Sequence, residues 1–295
     1  MKHLLRSLMF VPGHDEKLID KAANSPCDVL LLDLEDSVQP SLNKENARSL
    51  IKRKINSGVL KKHSVFPRIN DRESGELLKD LYELTIPGVE GFMYPKSKTG
   101  EDVYFIDKLL ETIEHEKKIP IGSFKLIPLI ETAAAVLNAQ DICKASRRTI
   151  AIAYGCEDFI SDIEGIHDLG ESSLFTPRAL IAMAARANNI IPIDTVHIAV
   201  HDLDGLEKNL KIARNLGFEG MLLLNPKEIP LVHKYFSPSD KEINDAQEII
   251  DLSELANAQN IGVAIINNKF IGPPMLRAAK KIMRKHQLIM SKEPK

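Results

Sequence analysis

A chain of 295 residues, 44% hydrophobic and 27% charged, is long enough for one large α/β barrel or two ordinary domains and too apolar to be disordered as a whole. Its 39 Lys and Arg nearly balance 41 Asp and Glu, for a formal charge of −2, so nothing electrostatic points to a nucleic-acid or anionic-membrane partner. Cys27, Cys143 and Cys156 form no CxxC pair or disulfide framework, which fits a reducing cytoplasm.

Met1–Arg6 starts like a signal peptide, but Arg6-Ser7 and Pro12-Gly13 cut the apolar stretch too short, and no apolar run reaches the roughly 20 residues of a membrane helix. Ser7–Val11 is therefore the first predicted strand. Asp15–Ala23 follows as a helix, then strand Val29–Leu34 and helix Asn43–Ile55, whose Ala47, Leu50, Ile51 and Ile55 recur at helical spacing. The alternation continues through strand Val65–Asn70, helix Gly75–Leu84, strand Gly91–Tyr94 and helix Asp102–Glu116. Strand Leu126–Glu131, helix Thr132–Lys144, strand Thr149–Tyr154 and helix Thr176–Asn188 come next. Strand Ile191–Val196, helix Leu206–Leu216 with a glycine stop at Gly217, and strand Gly220–Asn225 complete the series.

About eight β-then-α units with near-continuous apolar strands imply a parallel sheet covered by helices. Without a GxGxxG fingerprint or a P-loop, a closed (β/α)8 TIM barrel over residues 1–235 is favoured over an open doubly wound sheet. Pro128 resists this reading, since it would remove a ladder hydrogen bond inside the fifth strand. Residues 236–295 read as a helical and hairpin extension: a last barrel helix at Pro226–Tyr235 gives way to a helix at Asp240–Asn260. A hairpin-like turn follows through Gly262–Ile266, Asn267-Asn268 and Lys269–Ile271, then a basic helix at Met275–His286. This tail is too small for a domain and is expected to pack on its own barrel or on a neighbouring subunit.

Charged residues gather where the strands finish: Asp33, Glu35 and Asp36, then Arg68, Lys96, Glu131, and Glu157 with Asp158; Asp194 lies within the seventh strand. In a barrel these ends share one rim, the face on which barrel active sites sit. Asp36, Thr132 and Asp158 taken singly read as helix caps, but Arg68, Lys96 and Glu131 are poor N-cap residues. So many carboxylates on one rim need counter-charge, which Arg68 and Lys96 supply in part and a hard divalent cation such as Mg²⁺ would complete.

Several motifs, in order, resemble the citrate lyase beta-subunit group of the HpcH/HpaI aldolase/lyase family. They are Arg6–Gly13, Asp33–Val38, Pro67–Asn70, Tyr94–Lys96, Ile130–Thr132, Tyr154–Phe159, Asp194–Val196 and Leu224–Lys227. The resemblance implies a (β/α)8 barrel and a Mg²⁺-dependent lyase that cleaves or forms a carbon–carbon bond in a 3-hydroxy-acyl thioester of the citryl, citramalyl or malyl type. It implies Glu131 and Asp158 as metal ligands, with Asp33, Glu35 and Asp36 behind them ordering metal-bound water. Arg68 would contact the substrate carboxylate and carbonyl with a fork of donors that Lys cannot copy. Glu131 and Lys96 are expected beside the substrate, and Arg68, Glu35 and Asp36 in the catalytic step. The substrate would be borne by coenzyme A or by an acyl carrier, and the protein would be a homo-oligomer, a trimer or hexamer.

One departure stands out. Relatives commonly carry an acid in a tail motif, and the matching stretch here, Asn268–Pro274, has Gly272 in its place, which cannot transfer a proton. Three function classes follow: a free-standing acyl-CoA lyase, the beta subunit of a citrate lyase complex, and a non-catalytic binding homologue. His197 and His201, four apart with Asp202 and Asp204 nearby, have a zinc-like spacing but read as a strand end entering a loop. Cys156 reads as a small buried thiol, and Arg277, Lys280, Lys281, Arg284 and Lys285 as a solvated helix face rather than a coenzyme A contact.

Overall fold

The computed structural model describes residues 3–40, 43–166, 172–258, 264–266 and 269–292. It divides into two compact units, Leu5–Val232 and a smaller one that joins the segment from His233 onward to the residues up to Leu4. In the larger unit β1 (Ser7–Pro12) leads to α1 (Glu16–Ala22), β2 (Val29–Asp33) to α2 (Asn43–Asn56), β3 (Ser64–Val65) to α3 (Leu77–Leu84) and β4 (Gly91–Tyr94) to α4 (Gly100–Glu116). β5 (Lys125–Ile130) is followed by α5 (Ala133–Leu137) and α6 (Ala139–Lys144), and β6 (Ala151–Tyr154) by α7 (Cys156–Asp162) and α8 (Ser172–Ala187). β7 (Ile191–Asp194) leads to α9 (Leu203–Leu216), and β8 (Gly220–Leu223) to a 3₁₀ turn and α10 (Ile229–Phe236), within which the larger unit ends at Val232.

The eight strands form one parallel sheet in the order β3-β2-β1-β8-β7-β6-β5-β4. The seam between β3 and β4 is closed by Pro67–Ile69. Arg68 bridges Asp33 on one side and Met93 on the other; Met93 donates its N–H to the Pro67 carbonyl at 3.0 Å, and Ile69 donates to Met93 at 3.1 Å. The result is the expected (β/α)8 barrel. β3 is far shorter than the predicted Val65–Asn70 because Pro67 has no N–H; beyond it the pairing survives as single bridges.

Pro128 does lie inside β5, and the sheet accommodates it with a bulge. Leu126 donates its N–H to Arg148 on the β6 side, so the missing Pro128 N–H falls on that side too. Leu126 bridges Thr149 while Leu129 pairs with Ala153, so two intervening residues of β5 face three of β6. The predicted helix Thr132–Lys144 is two helices broken at Asn138, with Thr132 capping the first by accepting the Ala135 N–H at 3.1 Å. α9 ends as expected at Gly217, whose φ of 94° is open to glycine at no steric cost.

Glu228, just after β8, is 1% exposed. Its Oε2 accepts the Leu224 and Asn225 N–H groups at 3.3 Å, and its Oε1 has no hydrogen-bond partner. Burial pushes the carboxyl from 4.5 up to about 7, against the pull of those two N–H groups. The folded chain thus holds a proton that the unfolded chain releases between those values, and stability falls as pH rises through that window. Glu228→Gln is expected to flatten this slope and to raise stability at pH 8 by on the order of 1–3 kcal/mol, with little gain at pH 5. Denaturant titrations at the two pH values check it.

In the smaller unit α11 (Asp240–Ala258) packs on α12 (Pro273–Lys292), and β9 (Ala264–Ile266) pairs antiparallel with β10 (Lys269–Ile271). The two paired strands of the expected hairpin-like turn are present; Asn260, Gly262, Asn267 and Asn268 lie outside the described residues. Gly272 precedes α12, and its carbonyl accepts the Met275 and Leu276 N–H groups at 3.0 and 3.3 Å. Arg277, Lys280, Lys281 and Arg284 are exposed on α12, with Lys285 half-buried. Among the described residues no helix is long and apolar enough to cross a membrane.

Candidate active site

Side chains alternate across a strand, and alternate residues of the eight strands fill the barrel interior: Leu8, Val29 and Leu31, Phe66, Met93, Ile127 and Leu129, Ala151 and Ala153, Ile193, and Leu222. Two residues further along, the same parity delivers Phe10, Asp33, Arg68, Glu131, Gly155, Thr195 and Leu224 to the C-terminal mouth. All of these line one cavity of about 590 Å³. The core pattern therefore selects the residues of the site.

Arg68 is its centre. Nε and Nη2 donate to the two Asp33 oxygens at 2.7 and 2.8 Å, a bidentate pair, while Nη1 lies 3.1 Å from Glu35 and 3.2 Å from Asp36. The guanidinium lies over the Phe10 ring, 4.7 Å from its centroid. The fork expected to face substrate is thus engaged by Asp33, which leaves the second Nη2 hydrogen and the charge. Burial alone would raise the Asp33 carboxyl, but the hydrogen bonds and charge of Arg68, helped by the Glu35 amide, hold it below its ordinary range; the Ser37 N–H donates to Oδ2 at 3.0 Å.

Glu35 is buried between Arg68 and Lys96, with an ammonium at 3.2 Å from Oε1 and no hydrogen-bond partner of good geometry on either oxygen. Burial above all pushes its carboxyl up to about 7, with Asp36 and Asp33 adding to the rise and Arg68 and Lys96 opposing it. Lys96, expected beside the substrate, is not among the residues that line the cavity. It follows β4 one residue off the inward parity, and its ammonium is held by Asp71 at 2.8 Å as well as by Glu35. Its backbone takes the left-handed conformation, φ 52°, unusual for a residue with a side chain. That turn aims the Lys96 N–H at Glu131 Oε1, 2.5 Å away.

Glu131 is 2% exposed, and burial, then the charges of Glu35 and Asp158, push its carboxyl up to about 8 against the pull of the Lys96 N–H and Arg68. Gly155 lies against it; a Cβ there would stand 3.0 Å from both Glu131 Cβ and Oε2. Asp158 comes from the first turn of α7, a helix the alternation did not predict. Thr195 Oγ1 fixes its start by accepting the Cys156 N–H at 3.0 Å. Two oxygen donors, Glu131 and Asp158, thus line one cavity, and each raises the other's need for a counter-charge. This donor set fits a hard divalent cation. Among the described residues no three His, Cys, Asp or Glu side chains group closely enough to enclose an ion, so the remaining oxygens would come from water or substrate, as Mg²⁺ favours.

The other candidates resolve plainly. Asp194 has outward parity and pairs with buried Arg178 on α8, Nε donating at 3.0 Å, so it stands outside the cavity. Asp158 and Asp36 are not caps: Gly155 precedes α7, and Asp36 lines the cavity beside Arg68. His197 is buried with Nδ1 3.2 Å from the Asn209 amide, His201 is exposed, and the zinc spacing assembles no cluster. Cys156 is 2% exposed, the small buried thiol expected, and burial pushes it up to about 12, away from the thiolate form. Sequence reading missed Phe10, Gly155 and Thr195 as site residues; the period-2 parity of the strands is the signal that finds them.

A closed parallel barrel with a guanidinium and carboxylates at its C-terminal mouth is the layout of a TIM-barrel enzyme site. The chain belongs to the HpcH/HpaI aldolase/citrate lyase family, which matches residues 6–226. It is 31% identical over 96% of its length to citrate lyase subunit beta of Haemophilus influenzae, covering 97% of that protein. It is 30% identical over 96% to L-malyl-CoA/beta-methylmalyl-CoA lyase of Cereibacter sphaeroides, covering 95% of it. The crystal structure of protein CitE from Mycobacterium tuberculosis in complex with magnesium and pyruvate superposes with a TM-score of 0.67 at 25% identity, covering 88% of this chain and 98% of that one. The citrate lyase beta subunit from the same organism complexed with oxaloacetate and magnesium superposes at 0.66 and 25% identity, covering 80% and 99%.

Proposed function

We propose that the chain is a magnesium-dependent carbon–carbon lyase that cleaves, or in reverse forms, a 3-hydroxy-acyl thioester of coenzyme A. The observation that carries this reading is the placement of Arg68, Glu131 and Asp158 on one cavity wall at the mouth of the barrel. Relatives named as citrate lyase beta subunit and malyl-CoA lyase, and a magnesium-bound solved relative, support it.

In such a cleavage the hydroxyl loses its proton and the carbon–carbon bond breaks. Its electron pair passes to the carbon beside the thioester carbonyl, which then takes up a proton. The products are a 2-oxo acid and an acetyl-type thioester. Glu131 and Asp158 would hold the magnesium ion, whose Lewis acidity lowers the hydroxyl pKa and polarises the nascent carbonyl. The Arg68 guanidinium, fixed by Asp33, places positive charge where the oxo acid's carboxylate gathers. Asp36 reaches the cavity, and Glu35, titrating at about 7, stands behind it on the same Nη1; together they hold or pass the hydroxyl proton. This supplies proton transfer without the tail acid that Gly272 replaces.

Incubation with citryl-, citramalyl- and malyl-CoA and MgCl₂, with release of oxaloacetate, pyruvate or glyoxylate followed, tests the proposal. Cleavage of one thioester that chelation abolishes is expected, and inertness toward all three would defeat it. Turnover restricted to a carrier-protein thioester would favour the second reading, the beta subunit of a citrate lyase complex, to which the Haemophilus relative points.

A further inference from the structure

The cavity wall carries one cation among the described residues. Arg68 stands there with Asp33, Asp36, Glu131, Glu157 and Asp158, five acids to one base. It donates to Asp33 at 2.7 and 2.8 Å, and its Nη1 is in ion-pair contact with Glu35 and Asp36 at 3.1 and 3.2 Å. Lys96, the other cation of the cluster, is held by Asp71 and Glu35 away from the wall. The remaining wall is largely apolar: Leu129 and Leu222 are buried, while Ile198 and Leu224 are 49% and 46% exposed at the mouth.

We infer that the substrate's carbonyl half carries a single carboxylate and a hydrogen or small alkyl group, so that its product is a 2-oxo monocarboxylate of the pyruvate or glyoxylate kind, and that the dicarboxylate half of a citryl thioester is disfavoured. The inference rests on the lyase reading above.

A guanidinium has five N–H donors; here two are spent on Asp33, Nη1 is turned to Glu35 and Asp36 as an ion pair, and on Nη2 one hydrogen remains for a ligand. The Ser37 hydroxyl adds another donor: its Oγ is buried without a hydrogen-bond partner, and Ser37 lines the same cavity. Together they serve one carboxylate. A second carboxylate would be desolvated against leucine and isoleucine side chains or set beside Glu157 and Asp158, with no cation to meet it. A divalent cation counted in full still leaves the acids in excess. A methyl group in that place is instead covered by the apolar wall, a favourable burial.

The test is calorimetry on the full chain in MgCl₂ with pyruvate and with oxaloacetate, alongside turnover of citramalyl-, malyl- and citryl-CoA. An unpaired buried carboxylate is expected to make oxaloacetate bind at least about tenfold more weakly than pyruvate, and to lower kcat/KM for citryl-CoA by at least a similar factor relative to citramalyl-CoA. Oxaloacetate binding as tightly as pyruvate, or citryl-CoA cleaved as well as citramalyl-CoA, overturns the inference and leaves the lyase reading standing. Binding of neither oxo acid together with cleavage of no thioester overturns the lyase reading and this inference with it.

Discussion

Arg68→Met is expected to destabilise the fold by about 3–5 kcal/mol and to lower turnover by at least 10²–10³-fold. The first effect follows from what Arg68 leaves behind. Asp33 and Glu35 have side chains only 3% and 7% exposed, and both would keep their charge without a partner or be forced to take up protons. The bridge Arg68 makes between β2 and β4 comes from its backbone and survives the substitution, so the loss isolates the guanidinium. The pH dependence has a definite sign. Asp33 is held below its ordinary 3.8 in the folded chain, so its contribution is present above that value and disappears as pH falls through the lower folded one. The gap between wild type and variant should be widest near neutrality and close in acid. Asp33→Asn in the Arg68→Met background should recover more than half of the loss, because it removes the stranded charge. Denaturant titrations of the four chains of this cycle measure it; additive single effects would show that the pair is not coupled. Arg68→Lys separates charge from shape, keeping most of the stability but not the bidentate grip on Asp33, and its kcat should fall while the fold persists.

Why the barrel was legible and the site only partly so has a physical reason. Apolar runs and helical spacing are local, and they locate all eight strands and most helices, seven of the strands to within a few residues and β3 by its start alone. Proline acts locally as well, but its effect depends on the partner strand. Pro67 truncates β3 because its neighbours must be bridged singly, whereas Pro128 persists because β6 contributes an extra residue opposite it. The rim charges were visible as residue types at strand ends, yet a strand end does not say which way a side chain points. Parity does, and it separates Asp33, Arg68 and Glu131, which enter the cavity, from Asp194, which turns to Arg178, and Lys96, which turns to Asp71. The left-handed turn at Lys96 has no sequence signal, since nothing in Pro95-Lys96-Ser97 calls for positive φ. Nor could the shifted carboxyls be read from the chain: Glu35 and Glu131 owe their high values to burial and to charges brought from distant strands.

Glu131→Gln is expected to weaken Mg²⁺ binding by at least about 100-fold while leaving the metal-free chain as stable as wild type or more so. The two halves have one cause. Glu131 is buried beside Glu35 and Asp158, and without a cation its carboxyl ionises only near pH 8 instead of 4.5. Folded wild type therefore binds a proton that unfolded chain lacks across that range, and its metal-free stability declines as pH rises from 4.5 to about 8. The amide carries no charge, keeps an oxygen for the Lys96 N–H, and should flatten that decline. Metal binding runs the other way. A cation competes with the proton on Glu131, so wild-type affinity should climb between pH 6.5 and 8.5 and binding should release protons, measurable as buffer-dependent heat. Mg²⁺ at 100 times the wild-type Kd should stabilise wild type by about 2.7 kcal/mol, raising its midpoint of thermal unfolding, and the variant by no more than about 0.4 kcal/mol. A Glu131→Gln chain with the same Mg²⁺-dependent midpoint as wild type would remove Glu131 from the metal site, and with it the pairing to Asp158 on which the lyase reading stands.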